Sequence, residues 1–476
     1  MKKKKPSLGH AEHTQNAVDT RGLPGEFQRP IKLTMLGAGS AFTPRLAWDL
    51  FSIPGLKGGE IALVDIDTKR LNITKKLIEK IRDIHGRLDW KITASTDRLK
   101  VLAGTHYIVN CIEVSGVHCV RNENDIPAKY GVDQCIGDTL GPGGLFKGLR
   151  TIPVWLQVLE DAERLCPEAI VLNYTNPMSM LCLAAARTSR MSVVGLCHSV
   201  QGTADLLAKR AGVSVAEMEW ECAGINHLAW FTKLRHKGKD LYPLLKKKAA
   251  QDLAGKPSNP DDKMDLVRKD MMLKFGAFIT ESSGHLSEYL PYYRKNKAAL
   301  KQYCRSAYHG ESSYYATHWP EWRKRNDQLR MDWASGKTPM DWKRSWEYAS
   351  SIIEAREKDA PVRIHGTVPN TSQGGGPLIA NLPVNGCVEV ACMIDRNGIN
   401  ATRYGSLPPQ MAAISRSNMS FIELAAQAAI ERSIGTAIHA LLLDPLTSAV
   451  CTTDQIEQMT LEIFRAEKKY LPGYKI

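Results

Sequence analysis

Apolar and polar positions alternate through residues 31–200 in a way that predicts short strands separated by helices. The runs IKLTML (31–36), EIALVDI (60–66), KITAST (91–96), HYIVNCIEV (106–114), AIVLNYT (169–175) and SVVGLC (192–197) are brief, apolar and rich in Val, Ile and Leu. Between them, apolar residues recur every three or four positions over Lys69 to Ile84, Ile152 to Leu165, Met178 to Arg187 and Gln201 to Ala211. Strands of this kind linked by helical crossovers predict an α/β unit over 31–200, a Rossmann-like, doubly wound parallel sheet.

The regularity breaks after that unit. CAGINHLAWFTKL (222–234) reads as one strand, and charged helical sequence follows to about residue 360. Residues 362–394 read as strand, glycine-rich loop and strand, and Phe421 to Leu443 is helical with an apolar face. Residues 201–476 are therefore expected to form a mixed α+β unit. Residues 1–30 show no apolar period and are expected to be a flexible extension outside the fold.

Composition changes this picture little. With 43% hydrophobic and 24% charged residues the 476-residue chain matches an ordinary globular enzyme. No apolar run approaches the roughly 20 residues of a membrane span, and the lysines at 2–5 precede polar sequence, so a cytoplasmic protein without a membrane partner is expected. Eleven cysteines without a repeating spacing suit a reducing compartment. The net charge of +13 raises nucleic acid as a partner, but residues 1–30 hold six basic against three acidic residues and 232–274 hold twelve against six. Two local segments thus supply most of the charge, which reads as solvated surface. Trp319, Trp322, Trp333, Trp342 and Trp346 fall at near-helical spacing and are expected to pack on helix faces.

The first strand runs directly into Gly37-Ala38-Gly39-Ser40 with a helix behind it, the context a phosphate-binding turn requires. Gly37 permits the tight turn, and Gly39 lets backbone amides approach a pyrophosphate at the helix N-terminus. Phe42 occupies the third glycine position of the common dinucleotide fingerprint, a departure that points to a variant subfamily. Asp65, ending the second strand, is placed to accept from an adenosine ribose, which favours NAD over NADP. Asn110 and Asn176 end later strands, where a nicotinamide ribose would lie; Asn176 is also suited to cap the helix after Pro177.

The run Asn173-Tyr174-Thr175-Asn176-Pro177 is similar to one in lactate and malate dehydrogenases, but Met178-Ser179-Met180 follows where those enzymes carry catalytic Asp and Arg. Different chemistry is implied. Cys197 and His227 are a thiol and an imidazole that can share one divalent ion, although so small a pair is weak as a metal signature.

Taken together, G-x-G-S-x-x-T-P (37–44), Gly141-Pro142-Gly143-Gly144, N-Y-T-N-P, C-H-S-V (197–200), G-I-N-H (224–227) and N-L-P with V-E-V (381–390) resemble glycoside hydrolase family 4 from Ile31 to beyond Leu442. The tetrapeptide C-H-S-V is similar to the α-galactosidase branch, as distinct from phosphoglycoside branches. The resemblance implies NAD and manganese or another divalent metal as cofactors, with Cys197 and His227 as metal ligands. It also implies hydrolysis by temporary oxidation at C3 of the sugar, the NAD-dependent exception to paired-carboxylate glycosidases. Tyr289, in Ser283-Gly284-His285-Leu286-Ser287-Glu288-Tyr289, is the implied base, with Tyr292 and Tyr293 as second choices. Asp138 is the first choice for the leaving-group acid, with Glu123 and Asp125 competing. Asn176 and His198 are expected to touch the sugar. A homodimer or homotetramer is the implied assembly. α-Glucosidase and α-glucuronidase activities, and a plain NAD-dependent hydroxyacid or sugar dehydrogenase, are the alternatives.

Overall fold

A computed structural model describes residues 22–256, 264–371 and 374–475. The six apolar runs of the first unit form β1 (Ile31–Leu36), β2 (Gly59–Val64), β3 (Trp90–Ser95), β4 (Tyr107–Asn110), β5 (Ile170–Asn173) and β6 (Ser192–Gly195). They pair in parallel in the order β3-β2-β1-β4-β5-β6. The order reverses between β1 and β4, the switch point at which doubly wound sheets of this kind bind ligands beyond the carboxyl ends of their strands.

The connecting helices are α1 (Phe42–Phe51), α2 (Thr68–Ile84), α3 (Asn122–Lys129), α4 (Gly141–Leu165), α5 (Met178–Thr188) and α6 (Ser199–Ala211). Asp67 caps α2 by accepting from the Arg70 amide, and Gly212 ends α6 at φ +75°. α4 starts at Gly141, well before the expected Ile152. Pro142 fits its first turn, where a missing N–H costs nothing. Gly143 and Gly144 there lie against the backbone of Gly137 and Thr139, so close that a Cβ would come within 2.2 and 2.3 Å of backbone atoms.

The run expected as one strand at 222–234 is a hairpin, β7 (Met218–Ile225) and β8 (Leu228–His236), turning at Asn226-His227. Both arms are buried beside the turn, so no polar gap marks it in the apolar pattern. With β9 (Lys239–Asp240), β10 (Phe278–Ile279), β11 (Val362–Pro369), β12 (Cys387–Asp395) and β13 (Gly398–Ala401), the hairpin extends the first unit's sheet. The order continues from β6 as β11-β12-β7-β8-β10, antiparallel throughout. Two of these joins are narrow: Thr367 faces Gly195, and Glu389 faces Gly224.

The later helices are α7 (Tyr242–Leu253), α8 (Leu266–Phe275), α9 (Ser283–Glu288), α10 (Lys297–Tyr303), α11 (Tyr314–Ser335), α12 (Tyr348–Lys358), α13 (Pro409–Glu431), α14 (Ile434–Leu442), α15 (Pro445–Val450) and α16 (Thr453–Ala466). The stretch Phe421 to Leu443 is broken at Arg432 (φ +55°), after which Ser433 caps α14. α13 packs on α4 and α5, so one connected core holds Ile61, Trp155 and Val171 of the first unit with Trp230, Val390 and Phe421 of the second.

The expected extension lies outside the described residues as far as position 21. Between Gly22 and Pro30 the chain is anchored at three points: Phe27 is buried, the Leu23 amide donates to Glu354, and Arg29 pairs with Glu357 at 2.9 Å. The five tryptophans are half-buried, with Trp333 and Trp342 edge to face at 4.9 Å. No cysteine is bonded to another, and no described helix is long and apolar enough to cross a membrane.

Candidate active site

At the end of β1 the chain turns through Gly37 at φ +69°, where a Cβ would lie 2.4 Å from the Cys111 carbonyl oxygen. A side chain is excluded there on both counts. The Gly39 amide donates to Asp65 Oδ2 at 2.6 Å, and Ser40 Oγ accepts from the Phe42 amide at 3.2 Å as α1 begins. The Phe42 ring stands 5.8 Å from that of Tyr174, filling the place a third glycine would leave open. Asn110 is fully buried and donates to Asn173 Oδ1 at 2.8 Å. Its own Oδ1, like that of Asn176, is buried without a hydrogen-bond partner. Unpaired buried acceptors carry a cost. Beside a glycine turn and an acidic residue ending β2, they fit a dinucleotide running across the strand ends.

Cys197 follows β6 by two residues, His227 tips the β7–β8 hairpin, and Glu281 stands between β10 and α9. The three offer one ligand atom each, all within 4.8 Å of one another. Burial pushes the Cys197 thiol well above its ordinary value, and Glu281 and Glu389 push it further. Facing a divalent cation it would ionise. Sulfur, nitrogen and oxygen donors together suit a divalent transition ion.

Tyr289 is 1% exposed, with its hydroxyl 3.1 Å from His227 Nδ1. Burial, then Asp138 and Glu288, hold its phenol well above the ordinary value. Asp138 accepts from Thr139 at 2.7 Å and from Asn176 Nδ2 at 3.1 Å, with Lys147 Nζ at 3.8 Å and His285 Nε2 at 3.9 Å. Its burial favours the neutral acid, but Lys147 and His285 outweigh it and bring the carboxyl down to about 2. His198 Nδ1 lies 3.5 Å from Glu347 Oε1. Burial, then Asp49, pushes Glu347 up to about 8.

The family model described as family 4 glycosyl hydrolase matches residues 32–213, and that of the family's C-terminal domain matches 222–447. This chain belongs to family 4 of the glycosyl hydrolases. Among its relatives in that family, an α-galactosidase of Bacillus subtilis (strain 168) is 37% identical over 447 residues, covering 93% of this chain and all of its own. An α-galactosidase of Rhizobium meliloti (strain 1021) is 36% identical over 453 residues, covering 93% of this chain and 90% of its own. A 6-phospho-α-glucosidase from gut microorganisms, solved with NAD and Mn2+, superposes with a TM-score of 0.76 at 19% identity over 94% of this chain and the whole of the other.

Within this family 4 fold the first-choice residues converge. Asp138, Asn176, His227 and Tyr289 are linked through hydrogen bonds and His285, and Cys197 adjoins His227. The second choices fall away. Glu123 is buried in an ion pair with Arg150, whereas Asp125 is exposed and pairs with Arg121 along α3. Tyr293 donates to Asp270 at 2.8 Å, and Tyr292 is 41% exposed.

Four residues at the site were given no role in the sequence reading. Glu281 stands two positions before the tyrosine motif and Glu288 lies inside it, Lys147 lies just inside the helix that G-P-G-G begins, and Glu347 sits in the tryptophan-rich stretch. Their contacts span 84, 153, 9 and 149 positions of chain, and only Lys147, two turns along α4 from Gly141, was within reach of a local pattern.

Proposed function

We propose that this family 4 glycosidase cleaves α-galactosides, with NAD bound along Gly37, Gly39, Ser40, Phe42, Asp65 and Asn110 and a divalent cation such as Mn2+ held by Cys197 and His227. One observation carries the reading: the cluster of cation-ligating atoms adjoins β6, in line with the end of β4, which carries Asn110, and the turn just past β5, which carries Asn176. A sugar between them would meet both cofactors at once. The galactoside is supported by the two α-galactosidase relatives, each more than a third identical over nine-tenths of this chain.

When bound, NAD supplies a hydride acceptor for C3 and the cation supplies a Lewis acid that makes the C2 proton acidic, so that the C1 substituent can leave and water add before re-reduction. Tyr289 is the base at C2, oriented by His227 Nδ1. Asn176 and His198 hold sugar hydroxyls, with Glu347 behind His198 as an acceptor. Asp138 stands on the leaving-group side. Because it is ionised, it would orient the two donors beside it, Lys147 and His285, and one of these gives its proton directly to the departing oxygen.

The test is hydrolysis of 4-nitrophenyl α-galactoside, α-glucoside and α-glucuronide by protein stripped of bound cofactor, with NAD+ and Mn2+ each withheld in turn. Galactoside cleavage that needs both, without net NADH, is expected. Cleavage independent of both would overturn the mechanism, and steady NADH accumulation would favour a dehydrogenase.

A further inference from the structure

Glu281 holds a backbone conformation that residues with a side chain seldom adopt. Its φ is +67°, in the left-handed region where a side chain is disfavoured and glycine is the relaxed choice. Neighbours on both sides hold it there. The Thr280 amide donates to the Ala229 carbonyl at 2.9 Å while Thr280 Oγ1 accepts from the Ala229 amide at 3.1 Å. Ser282 caps α9, its Oγ accepting from the His285 amide at 3.3 Å. Between these anchors the side chain is 11% exposed, with Oε2 3.8 Å from Cys197 Sγ and Oε1 3.5 Å from His285 Nδ1. In the protein alone the protonated Cys197 thiol donates to this carboxylate; once ionised, the sulfur would repel it unless a cation lay between the two.

We propose that Glu281 is a third protein ligand of the divalent cation, completing a thiolate, imidazole and carboxylate set with Cys197 and His227. The inference rests on the reading that those two residues hold a cation, and it adds what they lack. A thiolate and a carboxylate together balance a charge of +2, and a hard oxygen donor offsets the preference of sulfur for softer ions. The left-handed backbone is the conformation that presents this carboxylate to the cluster. Strain kept at a site by its surroundings is often tied to function.

The experiment measures binding of Mn2+ alone by calorimetry, and the visible and near-ultraviolet absorption of the Co2+-loaded protein, for the full-length wild type and the variants Glu281→Gln, Glu281→Gly and Cys197→Ser. Glu281→Gln is expected to weaken Mn2+ binding at least tenfold while keeping the thiolate-to-cobalt charge-transfer band with altered d–d absorption. Glu281→Gly relieves the backbone, so the chelator-treated protein should melt at a higher temperature than wild type and yet bind Mn2+ as weakly as Glu281→Gln. Wild-type Mn2+ affinity and an unchanged cobalt spectrum in both Glu281 variants would overturn the assignment. If Cys197→Ser also bound Mn2+ as the wild type does, without change in the cobalt spectrum, the cation site itself would be lost.

Discussion

The Tyr289 hydroxyl lies 3.1 Å from Nδ1 of His227, joining the proposed base to a proposed cation ligand across the tip of the β7–β8 hairpin. The phenol is buried and held well above its ordinary value, so in the protein alone it keeps its proton. Tyr289→Phe removes the acceptor for the C2 proton and leaves the ring in its packing. Turnover should fall by roughly 10²–10⁴-fold, the usual share of a general base. Mn2+ and NAD+ affinities measured by titration should stay at wild-type values. A variant that retained turnover would transfer the base role to another group.

Lys147 reaches two carboxylates, Glu113 at 3.0 Å and Asp138 at 3.8 Å. It is the largest of the influences that hold Asp138 ionised against its burial. Lys147→Met should raise the Asp138 carboxyl and, by removing the donor beside it, impair protonation of the leaving group. Activity on unactivated alkyl α-galactosides should drop by about 10²-fold or more, with a smaller loss on 4-nitrophenyl α-galactoside, whose leaving group needs little protonation. Asp138→Asn should show the same leaving-group dependence. Equal losses on both substrates in either variant would remove this pair from the proton path.

Glu288 accepts from three consecutive backbone amides, those of Cys135 at 2.5 Å, Ile136 at 2.6 Å and Gly137 at 3.1 Å. It thereby ties the loop ending at Asp138 to the residue next to Tyr289. Hydrogen bonds to a charged acceptor contribute about 1.5–3 kcal/mol each, so the clamp outweighs the flexibility that Gly137 would otherwise give the loop. Glu288→Ala should lower both melting temperature and kcat, and Glu288→Gln should lower kcat by less. In a double-mutant cycle with Asp138→Asn the losses should be clearly sub-additive, as expected for residues acting through one loop. Additive losses would mean that Glu288 supports stability alone.

The parallel half of the fold was legible because strands buried on both faces leave uninterrupted apolar runs and the turns between them carry glycine. The same property hid the hairpin: Ile225 and Leu228 are both buried, so Asn226-His227 interrupts a run that otherwise reads as one strand. The candidate site was legible where the proposed chemistry coincides with a strand end or a motif, as at Gly37, Asp65, Cys197 and Tyr289. Glu281 was not, because its contact with Cys197 spans 84 positions and only folding brings the two together. Glu123 competed with Asp138 for the opposite reason: nothing local announces that Arg150, 27 positions away, neutralises it.

Glu389 faces Gly224 at the join between β12 and β7, fully buried, with Asn226 Nδ2 donating to Oε1 at 3.4 Å and Oε2 unpaired. Burial, in spite of the Asn226 bond and with Glu281 nearby, pushes its carboxyl from an ordinary 4.5 up to about 8. Between those values the folded protein keeps a proton that the unfolded chain has released. Stability contributed by this group therefore falls as pH rises from about 4.5 to about 8, by at most about 1.4 kcal/mol per pH unit, and levels off above that window. Glu347, also raised to about 8, bends the overall curve in the same direction, so a single pH profile does not isolate Glu389. The comparison with Glu389→Gln does, since the amide fills the same space and never ionises. In thermal melts of chelator-treated protein, the variant should gain on the wild type steadily from pH 5 to pH 8 and hold its gain at pH 9. Curves that stay parallel across that range would mean the carboxylate is stabilised in the fold as well as it is in water.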